Sequence, residues 1–227
     1  MSRYMIKFEK KGSLRFISHL DLMRLFMRTI RRAGIDLKYS LGYNPHPKLS
    51  IAQPLSLGFC SIGEYLEIHV VDELTTEEIL NRINPLLPKG VSFLECQKIE
   101  DESPSLASTI RWGSYEVIWK NTVFPPEFKK LLEKYLNQKT ITITKYQRKR
   151  KKNIDVDLKP MVNRVDIKEI NENSCVLNMI LRTGSQGNLN PQQLLESIAA
   201  YMEVPYSGEN ICICRTGLFG QKEKEDI

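Results

Sequence analysis

The chain has 227 residues, 41% of them hydrophobic and 26% charged, with a formal net charge of +6 and a pI of about 9.0. That balance excludes a low-hydrophobicity disordered chain and favours an anionic partner, without choosing between RNA, DNA and an acidic surface. No apolar run approaches the roughly 18 residues of a membrane helix, and the start MSRYMIKFEKKG lacks the apolar region of a secretory leader, so a cytoplasmic protein is expected.

In chain order, RYMIKFE (3–9) alternates as a strand with Tyr4, Ile6 and Phe8 on one face, and Leu14–Phe16 extends it or pairs after a turn. Ser18 is an N-cap and Gly34 a C′ residue, which predicts a helix over 19–33. Its apolar face is expected to hold Leu20, Leu22, Met23, Phe26, Met27, Ile30 and Ala33, with Asp21, Arg24, Arg28, Arg31 and Arg32 opposite. Segments 35–41 and 49–57 are strand candidates on either side of a proline loop. Segment 64–71 is another strand, TTEEILNRINPLL from Thr75 is a second helix, and 90–99 is a last strand. The order β-α-β-β-α-β is that of a ferredoxin-like unit, assigned to residues 1–100.

EDESPSLAST (100–109) is polar, and a linker is assigned over 101–110. The second half, 111–220, partly repeats the pattern: a strand at 113–120, a helix opened by Pro125 and Pro126, and strands at 140–146, 153–158, 162–170 and 175–182. Asn190 then caps a helix from Pro191 to about Glu203, and 211–215 closes the half. The expected fold class is α+β, two ferredoxin-like units in tandem, with a basic β-hairpin inserted in the second. The tail 221–227 reads as disordered.

Four stretches carry chemistry. On the first helix, Arg24, Arg28, Arg31 and Arg32 form either a solvated basic face or a phosphate track, because guanidinium forks match phosphate oxygens. His19, in the first turn, is either a satisfied core residue or a polar group at the sheet edge. The loop GYNPHPK is stiffened by Pro45 and Pro47. It is either a structural turn or a platform presenting Tyr43, Asn44, His46 and Lys48 to an exposed nucleotide. KYQRKRKK holds six cations in eight residues: Lys145, Arg148, Lys149, Arg150, Lys151 and Lys152. It reads as an arm along a phosphate backbone or as an edge strand blunted against aggregation.

Two further stretches are weaker. TGSQGN precedes a helix, which favours a plain connection over a phosphate loop, and matches no nucleotide fingerprint. Arg215, after the last strand, either packs back on the sheet or meets a ligand. The cysteines at 60, 96, 175, 212 and 214 and the histidines at 19, 46 and 69 lack metal-ligand spacing, so no metal and no cofactor are expected.

RFISHLDLMRLFMRTIRRAGIDLKYSLGYNPHPKLS resembles the opening of a radical-SAM-associated family of unknown function. The likeness is strongest at Ser18–Asp21, Arg31–Ala33, Tyr43–Lys48 and Cys214–Thr216. In that family the domain stands beside, or is fused to, a cobalamin-binding radical-SAM protein, with genes near those of an E/G-type ribonuclease and ribosomal proteins. The resemblance therefore implies a radical-SAM partner and an RNA, transfer or ribosomal. A looser fold-level likeness is to tandem ferredoxin-like RNA-processing proteins of the RAMP superfamily. On that likeness His19, His46, Tyr43 and Lys48 would form a metal-independent RNA-cleaving site. Three readings follow: an RNA-binding accessory protein, a ribonuclease, and a module that only docks its enzyme. The RNA-contact set for the first is Arg24, Arg28, Arg31, Arg32, Tyr43, Asn44, His46, Lys48, Lys145, the cations of 148–152 and Arg215.

Overall fold

Alternation in SRYMIKFEK places Tyr4, Ile6 and Phe8 on one side of a strand. In the computed structural model, which describes residues 2–120, 122–147 and 151–220, β1 (Ser2–Lys10) buries all three completely. The fold is mixed α+β, mostly antiparallel, with five α-helices among the described residues. It divides into two compact units: Met1–Ile110 with Cys214–Ile227, and Arg111–Ile213.

In the first unit, β1 is followed by a 3₁₀ turn at Gly12–Phe16, where a strand extension was expected, and by α1 (His19–Arg32). Ser18 accepts the Asp21 amide at its hydroxyl, and Gly34 ends the helix at φ +67°. The buried face of α1 is Leu22, Phe26, Thr29 and Ile30. Leu20 is 66% exposed, contrary to expectation, because it lies about 160° around the helix from Leu22. The strand expected over 35–41 is reduced to two bridges, Leu37 with Val70 and Tyr39 with Pro47. The strand expected over 49–57 shortens to β2 (Leu49–Ile51). Then come β3 (Cys60–Val70), α2 (Thr76–Ile83) with a capping box between Thr75 and Glu78, and β4 (Val91–Ile99). The antiparallel order is β4-β1-β3-β2. Phe8, Phe26 and Phe93 meet edge-on and tilted in the core between this sheet and the two helices.

The segment expected to be a free linker is packed instead. α3 (Leu106–Thr109) and the next residue place Leu106 and Ile110 against Met5, Ala52, Tyr65 and Leu218 on the other face of the sheet. Arg3 explains the anchoring. Its guanidinium donates to the Glu67 carboxylate at 2.8 Å and to the carbonyls of Glu100, Ser103 and Pro104, while Glu67 accepts the Leu106 amide. Burial alone pushes Glu67 up. The Arg3 hydrogen bond, the Leu106 amide and the Arg3 charge outweigh it and hold the carboxyl below its ordinary value. A carboxyl depressed on folding stabilises above its unfolded pKa, near 4.5, and that stability is lost as pH falls through the folded value. Glu67→Gln is expected to cost about 3 kcal/mol at pH 7. The deficit relative to wild type shrinks on acidification below the ordinary carboxylate range, as read by denaturant unfolding at stepped pH.

The second unit contains β5 (Trp112–Lys120), α4 (Phe128–Leu136), the β6 (Thr142–Gln147) and β7 (Lys152–Asp157) hairpin, β8 (Val162–Asn171), β9 (Ser174–Arg182) and α5 (Pro191–Met202). Its sheet runs β5-β9-β8, and β6-β7 is a separate two-stranded sheet, as an inserted hairpin requires. β10 (Ile211–Phe219) begins in this unit, but from Cys214 onward it belongs to the first, pairing in parallel with β3 at Cys60 and Ser61. The expected closure of the second half at 215 therefore differs: its last strand crosses back. The two backbones approach closely. A Cβ on Gly63 would stand 2.9 Å from the Thr216 carbonyl oxygen. Gly63→Ala is expected to lower stability by about 1–3 kcal/mol, measured by thermal unfolding.

Candidate nucleic-acid interface

The arginines of α1 face different fates once the helix is docked. Arg24 pairs with Asp21 at 2.9 Å on the surface, and the Ser18 hydroxyl and Arg24 together hold Asp21 below the usual carboxylate range. Arg32 donates to the Leu86 carbonyl at 2.8 Å and ties α1 to the turn after α2. Among the described residues, Arg28 and Arg31 make no side-chain hydrogen bond or ion pair. They line a cleft of about 410 Å³ with Met27, Asp36, Tyr39 and Pro47.

That cleft has a fixed wall because backbone bonds leave the 36–48 segment little freedom. Asp36 accepts the Val71 amide, Lys38 donates to the His69 carbonyl, and Lys48 donates to the Lys38 carbonyl at 2.6 Å. Beyond these, Ser40 donates its amide to the His46 carbonyl and accepts the His46 amide at its hydroxyl, closing the proline loop. Closing the base exposes the tip. Tyr43 is fully exposed, and Asn44, His46 and Lys48 are exposed with it. The structure thus places the loop next to the cleft in sequence and brings Tyr39, which the sequence reading passed over, into the cleft with Arg28 and Arg31. An exposed tyrosine ring, an unpaired amide and cations at a rigid wall can stack a base and hold phosphate oxygens.

On the hairpin, Lys145 donates to the Gln193 side chain at 2.7 Å, whereas Lys151 and Lys152 are exposed and Tyr146 beside them is largely so. Arg148, Lys149 and Arg150 lie outside the described residues. The TGSQGN turn is closed on itself, by Arg182 to Gln186 and Thr183 to Asn188.

One expected position is corrected, and His19 lies away from the proline loop. Arg215 is 2% exposed and does not reach solvent. It forms a forked ion pair with Glu64, at 2.7 Å through Nε and a second contact through Nη2, and donates to the Gln53 carbonyl at 2.8 Å. It is a packing and charge-pairing residue, because β10 pairs with β3 at Cys214 and Arg215. His19 is half-buried and lines a separate narrow cleft with Lys10, Leu55 and Glu64, so it borders a buried ion cluster rather than the proline loop. Lys10 completes that cluster. It is 2% exposed and donates to the Arg15 carbonyl at 3.3 Å; burial pulls its pKa down, Glu64 opposes this, and Arg215 adds to it. Sequence reasoning missed the cluster because Lys10 and Glu64 look like ordinary strand-end charges. Only the parallel pairing of β10 with β3 brings Arg215 to Glu64.

Among the described residues no group of three or more His, Cys, Asp or Glu side chains is placed to hold a metal ion, and no helix is long and apolar enough to cross a membrane.

Comparison with known proteins gives a family and a fold. The model of a family described as an uncharacterized protein conserved in bacteria (DUF2344) matches residues 3–191. No curated protein matches. Among solved structures the chain is similar to one in a Cbf5–Nop10–Gar1 complex, with 10% identity and a TM-score of 0.55, covering 96% of this chain and 50% of that one. It is also similar to one in the archaeal box H/ACA sRNP Nop10–Cbf5 complex, with 9% identity, a TM-score of 0.50 and coverage of 97% and 49%. A third is in an H/ACA RNP bound to a substrate RNA containing 2′-deoxyuridine, with 9% identity, a TM-score of 0.50 and coverage of 96% and 49%. The chain spans about half the length of each of these three chains. At such identity the likeness is one of fold.

Proposed function

Because the chain belongs to this DUF2344 family of bacterial proteins, and its opening motifs resemble those of a radical-SAM-associated domain, we propose that it is an RNA-binding accessory protein. It holds a structured RNA, transfer or ribosomal, for a partner radical-SAM modification enzyme. The observation that carries the reading is the cleft in which Arg28 and Arg31, without protein partners among the described residues, face Tyr39 and Pro47. Cations without an ion pair among the described residues, set beside an exposed aromatic ring, suit a nucleotide better than a protein surface. The β6–β7 hairpin, with Lys151 and Lys152 exposed, adds a second phosphate contact in the other unit. The net charge of +6 and a fold shared with a chain of an H/ACA RNP bound to a substrate RNA point the same way. On this reading both units are ferredoxin-like, and the RNA contacts are Arg28, Arg31, Tyr43, Asn44, His46, Lys48 and the hairpin cations. In the RNA-cleaving alternative, which uses His19 or His46, His46 would act from the proline loop without His19, which lines the Lys10–Glu64 cleft.

The test is ultraviolet crosslinking of the protein in cells followed by sequencing of the bound RNA. Enrichment of one transfer or ribosomal RNA segment, with crosslinks at Tyr43 or in the hairpin, is the expected result. Enrichment of the radical-SAM partner from nuclease-treated lysate, with no RNA above background, would replace this reading with simple protein docking.

A further inference from the structure

The cleft beside α1 holds one residue that phosphate binding does not need. Asp36 lines it together with Arg28 and Arg31, and its carboxylate has no hydrogen bond or ion pair among the described residues. A lone carboxylate in a cleft for polyanions weakens attraction to phosphate unless it has another task. It is not drawn off by the arginines, since no ion pair joins Asp36 to either one. Its backbone is held in place, because the Asp36 carbonyl accepts the Val71 amide at 2.9 Å and the adjoining Leu37 bridges to Val70. The wall therefore offers two carboxylate oxygens on an anchored backbone, two cations and a tyrosine ring.

We propose that this cleft takes an unpaired guanine nucleotide of the bound RNA. The inference rests on the RNA-binding reading above and adds the base. Guanine is the RNA base whose Watson–Crick edge carries two adjacent donors, N1–H and the N2 amine, matching the two oxygens of one carboxylate. Adenine and cytosine offer one amine beside an acceptor, and uracil offers a single N–H between two acceptors. In this arrangement Asp36 accepts both guanine donors, Tyr39 stacks on the ring with Pro47 beside it, and Arg28 and Arg31 hold the flanking phosphates. The cleft volume of about 410 Å³ accommodates one nucleotide and falls within the range of small-ligand sites.

The experiment is fluorescence anisotropy of the full chain with labelled hairpin RNAs that differ at one loop position, carrying guanine, hypoxanthine, adenine or cytosine. The expected result is binding about tenfold or more tighter for guanine than for adenine or cytosine. Hypoxanthine, which lacks the N2 amine, falls between. Asp36→Asn, at an exposed position, removes the preference while leaving salt-dependent binding in place. Equal affinity for all four loops, with strong salt dependence, would overturn the guanine assignment and leave the RNA reading standing. A guanine preference that survives Asp36→Asn would overturn the role of Asp36. No binding of any loop would overturn both the assignment and the reading beneath it.

Discussion

Reversing both cleft arginines, Arg28→Glu with Arg31→Glu, is expected to weaken RNA binding by about a hundredfold at physiological salt. It is also expected to flatten the dependence of log K on log salt by about two units. The salt slope counts phosphates neutralised, and each guanidinium removed from a phosphate lowers it by about one. Neither residue makes a side-chain hydrogen bond or ion pair among the described residues, so the fold should be preserved, with an unchanged circular dichroism spectrum. Two neighbours serve as internal controls. Arg24→Glu meets Asp21, and Arg32→Glu loses its bond to the Leu86 carbonyl, so each should affect stability more than RNA affinity. An unchanged salt slope in the double variant would show that the cleft does not touch phosphate. The basic face of α1 would then be a solvated surface favoured by its position at a helix C-terminus.

Arg215→Met is expected to destabilise the first unit by about 3–5 kcal/mol, because it strands Glu64, which is 1% exposed, without its forked partner. For a chain of this size that corresponds to a fall of roughly 10 °C in thermal midpoint. Removing both members, Arg215→Met with Glu64→Met, should cost less than the single change, since no carboxylate is left buried and unpaired. It should not restore full stability. Lys10 would then remain buried without the negative charge that opposes its desolvation. The pair is therefore a test of burial against function. A loss of RNA binding with unchanged stability in Arg215→Met would return Arg215 to the interface.

The local elements were legible because local chemistry specifies them. Ser18 and Gly34 bound α1, Thr75 and Glu78 open α2, and Asn190 with Pro191 opens α5, each through a side chain or backbone angle that neighbours along the chain dictate. The hairpin was legible for the same reason: two β-prone runs flank a cationic turn that cannot pack in a core. The 35–41 and 49–57 segments were misread because strand propensity predicts pairing without saying whether a partner edge is available. Here β3 pairs with β2 at three register positions and meets the earlier segment at one bridge, Leu37 with Val70, while Tyr39 bridges to Pro47 instead.

The amino-acid sequence by itself thus determined the elements, their caps, the cationic helix face and the stiff exposed loop, since these depend on contacts a few residues apart. Tertiary structure alone decided which charges stay in water. The parallel docking of β10 on β3 draws Arg215 into an ion pair 151 positions away in sequence, and the linker folds over Arg3 and Glu67. The return of the 36–48 segment along the end of β3 turns Arg28, Arg31, Asp36 and Tyr39 into one cleft. Burial and ion pairing are set by distance through space, and no pattern along the chain encodes a partner that only the fold brings near.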